Sequence, residues 1–137
     1  MTSKNDIPDL GPLEFTLVRL LWKSGPASAR QILERYNARS DKPLAYTTVM
    51  TLLTRLSEKG VLDVDRSRQP FQFTARVSRE QLLRQRVHDF VDLFFEGQPL
   101  ELAMRLVEDT RLSQEEIRRL EDMLERHKAE REESDES

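Results

Sequence analysis

Four threonines crowd one short stretch of the chain, at positions 47, 48, 51 and 54, with Tyr46, Met50 and Arg55 among them. A threonine hydroxyl both donates and accepts a hydrogen bond and its methyl makes apolar contact, so the set can read a polar edge. The groups that usually do covalent chemistry are scarce. The absence of cysteine from the 137 residues excludes a thiol nucleophile, a disulfide framework, a thiolate zinc site and an iron–sulfur cluster. His88 and His127 lie far apart with no ligand spacing around them. The carboxylate pairs Glu115–Glu116 and Glu132–Glu133 fall in helix-capping or solvated positions rather than in acid–base geometry. Neither an enzyme nor a cofactor or metal is expected.

The elements that must position the threonines follow from periodicity. Leu10, Leu13, Leu17 and Leu21 form a stripe on a first helix that Ser24-Gly25-Pro26 stops. Ser28-Ala29-Arg30-Gln31 is a capping box, and Ala29, Ile32, Leu33 and Tyr36 give the following helix its inner face. Residues 37–43 read as a loop, because Pro43 disfavours helix at Lys42. A third helix from Tyr46 to Lys59 buries Val49, Leu52, Leu53 and Leu56, with Gly60 as a left-handed cap behind it. At 100° per residue Thr47, Thr51, Thr54 and Glu58 then project away from the leucines. Threonine is a mediocre helix former, so these residues are not there for helix stability.

The period then falls to two. Val61 to Arg66 and Phe71 to Thr74 alternate around the turn Ser67-Arg68-Gln69-Pro70, which predicts a hairpin with a basic tip whose Leu62, Val64, Phe71 and Phe73 side packs on the helices. Three further helices are expected. Ser78-Arg79-Glu80-Gln81 caps one carrying Leu82, Leu83, Val87, Phe90, Val91, Phe94 and Phe95; Leu100, Ala103, Met104 and Val107 mark a short one; Ser113-Gln114-Glu115-Glu116 caps the last, with Ile117, Leu120 and Leu124. The pattern divides the chain into a flexible start (1–9), a unit over 10–77, a helical unit over 78–128 and a disordered acidic tail (129–137).

Three helices followed by a two-stranded wing is the order of a winged helix, giving a mainly α chain with a three-helix dimerisation domain behind it. Charge agrees with two parts: residues 1–76 hold 12 Lys and Arg against 8 Asp and Glu, while residues 77–137 hold 10 against 17. A basic half can approach a polyanion that an acidic half repels. An α-helix fits the major groove of B-DNA, so the third helix supplies the reading face, and Tyr46, Arg55, Lys59, Arg66 and Arg68 are candidates for holding phosphates. The apolar fourth helix offers more surface than a small unit can cover, so Leu83, Val87, Phe90, Val91, Phe94, Phe95, Leu120 and Leu124 are expected to meet a second copy. No run of about 18 apolar residues appears, so no membrane insertion and a cytoplasmic protein are expected.

The motifs also resemble a known family. Leu21-Trp22-x-x-Gly25-Pro26, Ala29-Arg30-x-Ile32 and the segment from Ala45-Tyr46-Thr47-Thr48 to Lys59-Gly60 are similar to the penicillinase repressor (BlaI/MecI) family of bacterial regulators. Phe71-x-Phe73, Val77-Ser78-Arg79-Glu80 and Leu112-Ser113-x-Glu115-Glu116-Ile117 extend the likeness over residues 10–126. The resemblance implies a homodimeric repressor of palindromic operators near β-lactamase or related genes. It implies base reading by Thr47, Met50 and Thr51, and backbone contacts from Tyr46, Thr48, Thr54, Arg55 and the wing. Some relatives are inactivated by a sensor protease that cuts an Asn-Phe bond in the short fifth helix, where this chain has Arg105-Leu106. Copper-responsive relatives end in a Cys-rich motif, which this chain lacks. A second class stays open: a winged-helix protein-interaction module that does not read DNA.

Overall fold

A computed structural model describes residues 6–136. The element order is α1 (Pro12–Ser24), α2 (Ala29–Arg39), α3 (Tyr46–Glu58), β1 (Leu62–Asp65), β2 (Gln72–Ala75), α4 (Arg79–Phe95), α5 (Pro99–Asp109) and α6 (Gln114–Glu136). It is the mainly α winged-helix arrangement expected, with a helical second part. The chain divides into two compact units between Asp89 and Phe90.

Local chemistry fixes the element ends. Ser28 and Gln31 close a reciprocal capping box on α2, Ser78 and Gln81 another on α4, and Ser113 and Glu116 a third on α6. Gly60, at φ 80°, ends α3 by letting its own N–H reach the Ser57 carbonyl and that of Val61 reach Leu56. The wing is antiparallel, with Leu62 opposite Ala75 and Val64 opposite Phe73. Phe73 also exchanges two backbone hydrogen bonds with Ala27, so the α1–α2 link lends the sheet an isolated bridge that periodicity had not foreseen.

The core of the first unit is built from Leu17, Val18 and Leu21 of α1, Ile32 of α2, Val49, Leu53 and Leu56 of α3, and Leu62 and Phe73 of the wing. The buried stripe of α1 is rotated from the expected one: Leu13 is exposed and Glu14 is buried. The reason is an ion pair, since Lys59 Nζ lies 2.9 Å from Glu14 Oε2 and also donates to the Asp9 carbonyl. Phe71 is likewise exposed, because it precedes the first paired residue of β2; the Arg66 guanidinium covers its ring at 6.0 Å.

Residues 1–5 lie outside the described part, but residues 7–9 are held rather than loose. Ile7 is buried, its N–H donates to Gln85 Oε1 at 2.7 Å, Gln85 Nε2 returns a bond to its carbonyl, and Arg86 donates to Pro8. The first turns of α4 therefore pack with the winged helix, Leu82 entering its core. At the other end α6 runs through Glu136, with Ser137 outside the described residues. No Gly or Pro interrupts it, and Ala, Glu, Lys and Arg are strong helix formers.

Candidate nucleic-acid interface

The core face of α3 is closed by Val49, Leu53 and Leu56, which leaves Tyr46, Thr47, Thr48, Thr51, Thr54, Arg55 and Glu58 in solvent and Met50 half-buried. Thr51 Oγ1 donates to the Thr47 carbonyl at 2.9 Å, so its proton is engaged within the helix and it faces outward as an acceptor with a methyl. Thr47, Thr51, Thr54 and Glu58 thus share one solvent face, as the 3.6-residue period requires.

The start of α3 differs from those of α2, α4 and α6. Its N-cap is Ala45, with no side chain to accept from the first-turn N–H groups. Those donors and the positive end of the helix dipole are left open to an anion. Beside them, Arg30 stacks over the Tyr46 ring at 5.4 Å. Hydrophobic periodicity does not mark Arg30. Its signal was a cation in the first turn of α2, where the dipole opposes it and helix stability gives no reason for it. Arg30, Tyr46, Met50 and Gln69 to Phe73 line one cleft of about 590 Å³ that joins the starts of α2 and α3 to the end of the wing.

The wing carries Arg66 and Arg68 in solvent. Its tip is folded by Asp65, whose carboxylate accepts from the Ser67 hydroxyl and N–H; these bonds, aided by nearby Arg68, hold its pKa below the ordinary value. Lys59, also expected to hold a phosphate, has an internal partner. Its amine is fixed on buried Glu14, a long-range partner 45 residues away with no local sequence signal. Burial alone pushes the Glu14 carboxyl up, but the Gly11 N–H, the Lys59 contact and nearby Arg55 outweigh it and hold the pKa below the ordinary carboxylate value.

The apolar positions expected at an interface separate into two groups. Leu83, Val87, Phe90, Phe94, Leu120 and Leu124 are exposed, whereas Phe95 is half-buried and Val91 is buried within the chain. Phe90 holds the ring of Phe94 at 4.8 Å and that of Phe95 at 5.9 Å. Leu93, Leu100, Met104, Leu106, Val107, Ile117 and Met123 are exposed as well, and neither α5 nor α6 has a buried residue. Among the described residues no group of three His, Asp or Glu is placed to hold a metal ion, and no helix is long and apolar enough to cross a membrane.

Comparison with known proteins adds an independent line. Residues 10–126 match the family described as penicillinase repressor. The penicillinase repressor of Bacillus licheniformis is 25% identical over 122 residues, covering 89% of this chain and 94% of that protein. The methicillin resistance regulatory protein MecI of Staphylococcus aureus strain N315 is 28% identical over 120 residues, covering 88% and 96%. The solution structure of the DNA binding domain of the repressor BlaI aligns with 56% of this chain and 90% of its own, at 21% identity and a TM-score of 0.48.

Proposed function

The chain belongs to the penicillinase repressor family, and from that premise we propose that it is a DNA-binding transcriptional repressor whose α3 reads an operator in the major groove. The observation that carries the reading is the solvent face of α3, rich in threonine, a mediocre helix former, with an uncapped start beside Arg30 and Gln69 to Phe73 of the wing. Thr47, Met50 and Thr51 contact base edges. Tyr46, Thr48, Thr54 and Arg55, together with Arg30, Arg66 and Arg68, hold phosphates and set the register of the helix in the groove. No step of this activity makes or breaks a covalent bond, and a chromosomal partner calls for a cytoplasmic protein.

The second unit makes the repressor a homodimer. Phe90, Phe94, Leu120 and Leu124 stand exposed in the second unit, and a second copy offers the same apolar side chains to cover them. A two-fold dimer presents two α3 helices to half-sites about one turn of DNA apart, which matches a palindrome. β-Lactamase or related genes are the target class that the family suggests. Inactivation would involve a protease with a preference other than Asn-Phe, since Arg105 and Leu106 occupy the corresponding place on the exposed surface of α5.

Salt-titrated binding to the protein's own promoter and to random DNA tests the reading. Arg55→Ala should weaken both and reduce the salt slope by about one counterion. Thr51→Ala should relax discrimination at particular bases, by about 1 kcal/mol. Equal affinity of the wild type for promoter and random DNA at every salt concentration contradicts a sequence-reading role.

A further inference from the structure

A second basic site lies away from the reading helix. Thr16, Arg19, Leu20 and Lys23 fall at i, i+3, i+4 and i+7 on one face of α1, opposite Tyr36 and Arg39 at the end of α2 and Ser40 to Lys42 beyond it. Together they line a cleft of about 590 Å³ that includes no residue of α3 or of the wing. Four cations and one carboxylate, Asp41, face it, an excess of three positive charges in a unit whose total excess is small.

One of these cations has an internal partner, since the Arg19 guanidinium lies over the Phe15 ring. No ion pair found among the described residues engages Arg19, Lys23, Arg39 or Lys42. Lys23 and Arg39 stand in the last turns of their helices, where the dipole favours a cation. That reason does not extend to Arg19, in the middle of α1 and laid over the Phe15 ring at 5.7 Å, or to Lys42 in the loop. The loop is itself shaped: Ser40 Oγ donates to the Lys42 carbonyl and accepts from the Lys42 N–H, which fixes the backbone that carries the fourth cation. The floor is buried Leu20, and half-buried Tyr36 offers a ring beside the charges. Convergent cations on a shaped, partly apolar cleft cost repulsion that a multivalent anion relieves, and arginine forks match phosphate oxygens.

We infer that the α1–α2 cleft is a binding site for a small multivalent phosphate ligand of the pyrophosphate or nucleoside diphosphate class, separate from the DNA-reading surface. The phosphates lie on Arg19 and Arg39 with Lys23 and Lys42 flanking them, and a base, where present, rests against Tyr36.

Calorimetric titration of the full-length protein with pyrophosphate and with ADP, at constant ionic strength, tests it. One molecule per chain is expected, with Arg19→Gln and Arg39→Gln each weakening binding by about tenfold or more, while Arg131→Gln on α6 changes nothing. Thermal melts supply a second readout. The two cleft variants should melt no lower than the wild type without ligand, because they relieve repulsion, and should lose the rise in melting temperature that pyrophosphate gives the wild type. Binding by neither probe overturns the inference, as does equal weakening by Arg131→Gln. It is also overturned if the paired cleft variant binds pyrophosphate normally but loses about two counterions from the salt slope of DNA binding, since the cations then serve the DNA backbone. Failure of operator recognition itself would be read from Thr51→Ala and leaves these outcomes distinct.

Discussion

The two units use their apolar residues in opposite ways. In the part ending at Asp89, Leu17, Val18, Ile32, Val49, Leu53, Leu56 and Val61 are fully buried, and α1, α2, α3 and the wing close over them. In the part beginning at Phe90, Val91 is buried while Leu93 is 75% exposed and Phe94 65%. Both parts carry helical periodicity, so pattern alone does not distinguish a finished core from an unfinished one. What distinguishes them is whether enough neighbouring elements exist to cover the stripe. A unit of two helices and the end of a third has too few, which is the ground for the proposed second copy.

The comparison breaks most visibly in the first core. Leu53→Ala removes a fully buried side chain of α3 and should cost about 2–5 kcal/mol, read as a lower denaturation midpoint together with loss of DNA binding. Phe94→Asp should do the reverse, leaving the stability of the winged helix intact while the protein becomes monomeric and binds a palindrome far more weakly. Unfolding of the first unit by Phe94→Asp, seen by loss of Trp22 fluorescence signature, would show that the ring is internal support. A fragment ending at Asp89 sharpens the contrast. It should fold and remain monomeric, whereas one ending at Val77 loses Leu82 and the Gln85 and Arg86 clasp on residues 7 and 8 and should be measurably less stable.

A smaller effect tests the ion pair that ties α1 to the end of α3. Because the folded state holds the Glu14 carboxyl below its ordinary pKa, its contribution is present above the unfolded carboxylate pKa and is lost as pH falls through the folded one. Glu14→Gln should cost about 1–2 kcal/mol near neutral pH and flatten the acid side of the stability profile. An unchanged acid limb would mean that the pair contributes nothing and leaves Lys59 free for phosphate contact.

Much of this was readable in the sequence, and the division follows the range of the forces. The three serine capping boxes, the Gly60 stop and the wing hairpin are set by residues a few positions apart, and the structure has all of them. The solvent face of α3 also followed from periodicity alone. Contacts between distant residues were invisible: Glu14 with Lys59, Ile7 with Gln85, and Ala27 with Phe73 carry no local mark. The rotated stripe of α1 is a consequence of the first of these, since a carboxylate took a place that leucine spacing had assigned to Leu13. Arg30 escapes periodicity for a different reason. Its oddity is visible only against the helix dipole, and its role only once its guanidinium is seen on Tyr46.

Analytical ultracentrifugation of the full-length protein at micromolar concentration, alone and with a palindromic promoter fragment, bears on the central claim most directly. A dimer that binds one fragment as a dimer is the expected result, with Phe94→Asp sedimenting as a monomer. A wild-type monomer that still protects a complete palindrome would contradict the claim that the second unit completes its core with a second copy.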